Sequence, residues 1–184
     1  MNSRWKQEIE AAVAAEDWEA LRRLARERVS TVLRCLVARL YSRDDGAKWR
    51  AVRALGEVAA EPSALSGQRA AELMRRFVWA LNDESGNVPY GVPEAMGEIL
   101  AVRPELQPAF LPILCSLLTQ NQMSQTGPIE RGAVWAVGRI GPAAAQRSPE
   151  IVDALRRAAE THPDAAIRQA ASRSLASITG GDPV

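Results

Sequence analysis

Trp49, Arg53 and Glu57 are spaced i, i+4, i+8, and the same spacing returns in Tyr90, Glu94, Glu98, in Arg131, Trp135, Arg139 and in Gln169, Arg173, Ser177. On a helix this spacing keeps each trio on one side. The stripe so defined holds three aromatics, four arginines and three acids. Arginine and aromatic side chains are the types enriched at binding hot spots. Trp49, Arg53, Tyr90, Glu94, Glu98, Arg131, Trp135 and Arg139 are therefore the candidate partner-binding residues, expected to be partly exposed. A competing reading has Trp49 and Trp135 closing seams between helices, with the charges solvated or paired as Glu–Arg contacts. The residue types alone leave both readings open.

The catalytic inventory is thin. Glu94 and Glu98 lie one turn apart, a placement suited to acid–base work, but such pairs on a helix are ordinarily solvated. His162 is the single histidine and stands before Pro163, where it reads as a helix-end residue. Cys35 and Cys115 fall in apolar stretches and read as small core residues. One histidine cannot supply a convincing Ser-His-Asp or Cys-His arrangement, and two cysteines cannot make a Cys-based zinc site or a disulfide framework. No catalytic residue, metal site or cofactor is expected.

The longest irregular segment runs from Asn82 to Pro93 and offers Asp83, Glu84 and Asn87 as candidate loop residues. As a phosphate cradle it fails, because Gly86 and Gly91 lack both the glycine spacing and the following Lys-Ser/Thr. As a calcium loop it lacks further acids in register. It stands as a long polar loop of functional interest or as a surface turn with capping residues. A second loop, Gln120 to Gly127, is uncharged and Gln-rich and reads as a connector.

The elements that must position these residues are helical throughout. Windows such as Trp18 to Arg26 and Ile151 to Ala159 place apolar residues at i, i+3, i+4 and i+7. Breakers recur at Asp44-Asp45-Gly46, Glu61-Pro62-Ser63, Ser85-Gly86-Asn87, Gly127-Pro128, Gly141-Pro142 and His162-Pro163. Each can end one helix and start the next. At 184 residues and 47% hydrophobic, the chain suits a single domain with a sizeable core.

Four segments are copies of one another: Ala54-Leu-Gly-Glu-Val58, Ala95-Met-Gly-Glu-Ile99, Ala136-Val-Gly-Arg-Ile140 and Ser174-Leu-Ala-Ser-Ile178. Their central small residues fall at 56, 97, 138 and 176, steps of 41, 41 and 38. Each copy follows another amphipathic helix, at about 27–42, 66–82, 105–120 and 148–161. Positions 51, 54, 55 and 58, with 92, 95, 96, 99 and 133, 136, 137, 140, define the expected core face. A helix pair repeating every ~40 residues is the signature of an α-solenoid. In these copies the chain resembles the HEAT-repeat family over roughly residues 27–180, and Pro108 and Pro112 match the proline often found in HEAT first helices. The resemblance implies an all-α, right-handed solenoid of about four helix pairs (27–60, 66–102, 105–141 and 147–180). Residues 1–26 fall outside the repeat. There Ile9, Val13, Leu21 and Leu24 form two short helices broken near Asp17, a suitable N-cap, and read as a cap on the first pair.

Charge narrows the partner. Twenty-three Lys and Arg against 22 Asp and Glu leave +1 overall. Residues 1–53 carry +4, 54–130 carry −5 and 131–184 carry +2. Nucleic acid would meet a continuous basic groove, which the acidic middle interrupts. A protein of mixed charge, or a second copy in a homodimer, suits the distribution better. The start, Met1 to Glu10, is polar, and no apolar run approaches the ~20 residues of a membrane helix, so a cytoplasmic location without membrane contact is expected.

HEAT proteins as a family mostly serve as scaffolds, so the resemblance implies a non-catalytic interaction module binding a protein on its concave face. Two alternatives follow from the same resemblance: a DNA-binding protein of the HEAT-like DNA glycosylase type, with Trp49, Trp135 and Glu94 as its groove residues, and a chromophore-attachment factor like the bilin lyases.

Overall fold

The computed structural model of the chain describes residues 3–82, 90–119 and 127–180. Among these residues there are ten α-helices, one short 3-10 turn and no strand. In order they are α1 (Ser3–Ala14), α2 (Trp18–Arg39), α3 (Asp45–Ala59), α4 (Gly67–Leu81), α5 (Val92–Val102), the 3-10 turn Pro104–Leu106, α6 (Gln107–Thr119), α7 (Gly127–Ile140), α8 (Pro142–Arg147), α9 (Glu150–Thr161) and α10 (Ala165–Thr179). The all-α expectation holds. The chain divides into two compact units, Met1–Ala95 and Met96–Val184, with α5 running from the first into the second.

In the first unit, α1, α2 and α3 pack on one another. The Asp17 carboxylate accepts from the Ala20 amide at 3.0 Å and caps α2, because the first amides of a helix have no partner within it. Glu16, just before it, takes a left-handed backbone with φ 54° and makes the tight α1–α2 turn. Ile9, Val13, Leu21 and Leu24 are all buried, as their spacing predicts. The expected end of the cap at residue 26 falls inside α2, which runs on to Arg39. Its helical ladder breaks at Arg28, where φ is −145° and ψ 47°. The Arg28 guanidinium lies 5.5 Å from the Trp5 ring centroid, which ties the break to α1. Asp44 caps α3 by accepting from the Gly46 amide at 2.9 Å, and Ser66 caps α4.

The start of α5 corrects the loop boundary. The irregular segment was expected to reach Pro93, yet Val92 and Pro93 already belong to the helix. Proline is tolerated in a first turn because the amide it lacks would have no helical acceptor there. The Gly91 amide donates to the Leu40 carbonyl at 3.0 Å, fixing the entry to α5 against the end of α2.

The second unit is built on repeated close crossings. A Cβ added at Gly97 would lie 2.6 Å from Ala136 Cβ and 2.7 Å from its Cα, so α5 and α7 meet backbone to backbone. At Gly138 an added Cβ would lie 2.9 Å from Ser174 Cα, so α7 and α10 meet in the same way. Ser174 Oγ donates to the Val134 carbonyl and Ser177 Oγ to the Gly138 carbonyl, each at 2.8 Å, stitching α10 to the backbone of α7. α10 also packs on α9, and α6 packs on α7 and α9. The core-face positions of α3, α5 and α7 are buried without exception. The short helix α8 is an element the sequence pattern did not distinguish from the Gly141-Pro142 break.

Candidate functional site

Each trio of the stripe is carried by one helix whose opposite face is buried, so the stripe's exposure follows from how deeply each helix sits. α3 leaves Trp49 half-buried, with Lys48 Nζ 5.8 Å from its ring centroid. Lys48 is itself buried, and its ammonium donates to Asp45 at 2.8 Å. Arg53 is exposed and pairs with Glu16 at 2.9 Å, while Glu57 pairs with Arg22 across to α2. The charges of this trio are thus used within the first unit.

α5 departs from the expectation. Glu94 and Glu98 are only 4% and 8% exposed, because every residue from Val92 to Leu100 is buried. They are not the exposed members of an open surface. The i, i+4 pattern correctly places them on one side of the helix but does not reveal that this side is covered as well. Glu98 accepts from Arg139 at 3.1 Å across the α5–α7 crossing, so its carboxylate is matched to a cation that is itself still exposed. Tyr90, in the turn before α5, is half-buried. Asp83, Glu84 and Asn87 lie outside the described residues.

The α7 and α10 trios stay open. Arg131, Arg139, Gln169, Arg173 and Ser177 are exposed and Trp135 is half-buried. Trp135, Gly138, Arg139, Arg173, Ser174 and Ser177 together line a groove of about 250 Å³. The cause is local: Gly138 and Ser174 are small because the helices cross there, and small residues at a crossing leave a furrow beside it. The Trp135 ring and the Arg139 and Arg173 guanidiniums border that furrow. Among the described residues Arg173 makes no ion pair, so its charge faces solvent. An apolar plate flanked by two guanidiniums suits a partner that offers carboxylates or backbone carbonyls beside an apolar side chain.

Neither His162 nor either cysteine is among the residues that line this groove. The His162 ring nitrogen Nδ1 accepts from the Asp164 amide at 3.0 Å, which places its proton on Nε2, 3.3 Å from Glu130. The ring therefore fastens the α9–α10 turn to α7. Cys35 and Cys115 are both buried and neither is in a disulfide. Burial pushes the Cys115 thiol up to about 11, the Ser148 hydrogen bond working in the opposite direction. Among the described residues no three His, Cys, Asp or Glu side chains converge on a metal-sized site, and no helix is long and apolar enough to cross a membrane. The first-helix faces of α2 and α4 lie outside the stripe, and the spacing of Arg69, Arg76 and Trp79 is the signal the sequence holds for them.

No protein-family model matches the chain, and no curated protein does. Among solved structures it is similar to two engineered proteins determined by the Northeast Structural Genomics Consortium. One matches at 21% identity and a TM-score of 0.53, over 97% of this chain and 48% of its own. The other matches at 21% identity and a TM-score of 0.52, over 99% of this chain and 83% of its own. This chain thus spans about half the length of the first. The likeness is one of fold.

Proposed function

We propose that the chain is a non-catalytic interaction module, a HEAT-like α-solenoid of about four helix pairs that holds a protein partner on the outward face of its second helices. The observation that carries this reading is the α7–α10 furrow, where Trp135, Arg139 and Arg173 stand together beside a close helix crossing. The 41-residue step in sequence between Gly97 and Gly138 supports the repeat, since both glycines lie at backbone-close crossings. Arg131 and Arg173 extend the basic rim, and a partner with acidic and apolar side chains complements it. Trp49 and Tyr90, half-buried aromatics of the first unit, remain candidate partner-binding residues there. Glu98 serves the furrow from beneath, holding Arg139 in place.

The test is affinity capture from native extract with wild type and an Arg131→Glu/Arg173→Glu variant, quantified by mass spectrometry. Both arginines are exposed, so the variant should melt as wild type does. The reading expects a discrete set of proteins whose recovery falls by about tenfold or more in the variant, as for charges at a binding centre. Identical recovery profiles would contradict it.

A further inference from the structure

The first unit carries a second groove, of about 350 Å³, between α2 and α4. Its floor is apolar: Val29 and Leu73 are 8% and 2% exposed, and Leu33 is half-buried beside them. Its rim is basic. Arg34 from α2 and Arg69 and Arg76 from α4 line it, all three exposed, against a single carboxylate, Glu72. Among the described residues no ion pair engages Arg69 or Arg76. One helical turn beyond Arg76 is Trp79, a large hydrophobic residue 79% exposed. Its neighbour by helical spacing is that rim, since i and i+3 positions lie side by side on a helix.

These features converge on one kind of occupant. The guanidiniums of Arg69 and Arg76 beside one carboxylate call for negative charge, and Arg forks match carboxylates in bidentate geometry. An exposed indole gains by being covered, and tryptophan and arginine are the residues that most often anchor a protein interface. The apolar floor decides between anion classes. A nucleic-acid strand would satisfy the arginines with phosphates and stack a base on Trp79, but its backbone leaves the floor unfilled. An amphipathic acidic helix fills all three parts, with apolar side chains on the floor, glutamates on the rim and its edge against the indole. We infer that the α2–α4 groove is a docking site for an acidic amphipathic helical segment of a partner protein. It uses residues distinct from those of the α7–α10 furrow and does not depend on that reading.

The test measures fluorescence anisotropy of the full chain with three labelled probes: a short helical peptide with leucines and glutamates on one face, the same peptide with lysine for every glutamate, and an oligo-dT strand of similar length. The expected result is saturable binding of the acidic peptide, weakened by added salt, with none for the lysine peptide. Arg69→Glu/Arg76→Glu should weaken it by at least about tenfold, and Trp79→Ala several-fold, at unchanged melting temperature. If charge reversal lowers the melting temperature, Arg69→Gln/Arg76→Gln carries the same comparison with a smaller expected loss. Absence of saturable binding to the acidic peptide, or binding that all these variants retain, overturns the inference. Tighter binding of oligo-dT with the same dependence on Arg69, Arg76 and Trp79 overturns it in favour of a nucleic-acid surface.

Discussion

Gly97 shows how far a single residue type can be read. Its place at the centre of a repeated Ala-aliphatic-Gly segment predicts a close helix crossing, and Ala136 lies where a Cβ would go. The nearest atoms include Ala136 Cα, which cannot move without its helix. Gly97→Leu should therefore cost about 1–3 kcal/mol or more, read as a lower urea midpoint. An unchanged midpoint would mean the crossing is looser than described. Cys115 is legible in the same way, as a buried small residue, though its titration is not. Its thiol is raised from 9.0 to about 11, mainly by desolvation, so the folded chain binds the proton more tightly than the unfolded one. The resulting stability is fully present below about pH 9 and is lost as pH rises through about 11, at up to roughly 1.4 kcal/mol per unit. Urea midpoints between pH 8 and 11 should fall more steeply for wild type than for Cys115→Ala, and parallel slopes would contradict the burial of the thiol. The residue scale is also where sequence reading fell short. Glu94 and Glu98 look like surface acids, and only the packing around α5 shows that they are buried.

At the scale of elements, periodicity and breakers place the helices well because both are local properties. The expected first helices at about 66–82, 105–120 and 148–161 correspond to α4, α6 and α9, each within two residues at either end. The exception is α2, which extends back to Trp18 because Asp17 caps it there and nothing later in the sequence stops it. A break without proline or glycine, such as that at Arg28, leaves no sequence signal. The pairing of α7 with α10 is likewise non-local, and it carries a testable coupling. Gly138→Ala should destabilise by about 1–3 kcal/mol, because the new Cβ meets Ser174. Ser174→Gly alone removes the 2.8 Å hydrogen bond to the Val134 carbonyl and should cost about 0.5–1.5 kcal/mol for that bond, plus about 0.5–1 kcal/mol for glycine in a helix. Together the two changes should cost clearly less than their sum, since Ser174→Gly makes room for the added methyl. Strict additivity in a double-mutant cycle would show that the two helices do not meet there.

For the whole molecule, composition excluded more than it identified. A nearly neutral chain with one histidine and two cysteines offers few of the side chains that catalysis uses. What the structure adds is a sorting of the stripe. Arg53 and Glu57 are spent on ion pairs within the first unit, and Glu94 and Glu98 are covered. The half-buried Trp135 borders one furrow with Arg139, paired to Glu98, and the exposed Arg173, unpaired among the described residues. That sorting rests on contacts between residues about 40 apart in sequence, which helical periodicity does not encode. We propose that Trp135 binds a partner and does not merely close a seam. The most direct measurement is Trp135→Ala, with thermal unfolding and partner recovery read on the same preparation. The expected result is a stability loss below about 1 kcal/mol together with a fall in recovery of about tenfold or more. A loss of about 3–5 kcal/mol, as for a buried aromatic, with recovery intact in the folded fraction would contradict it.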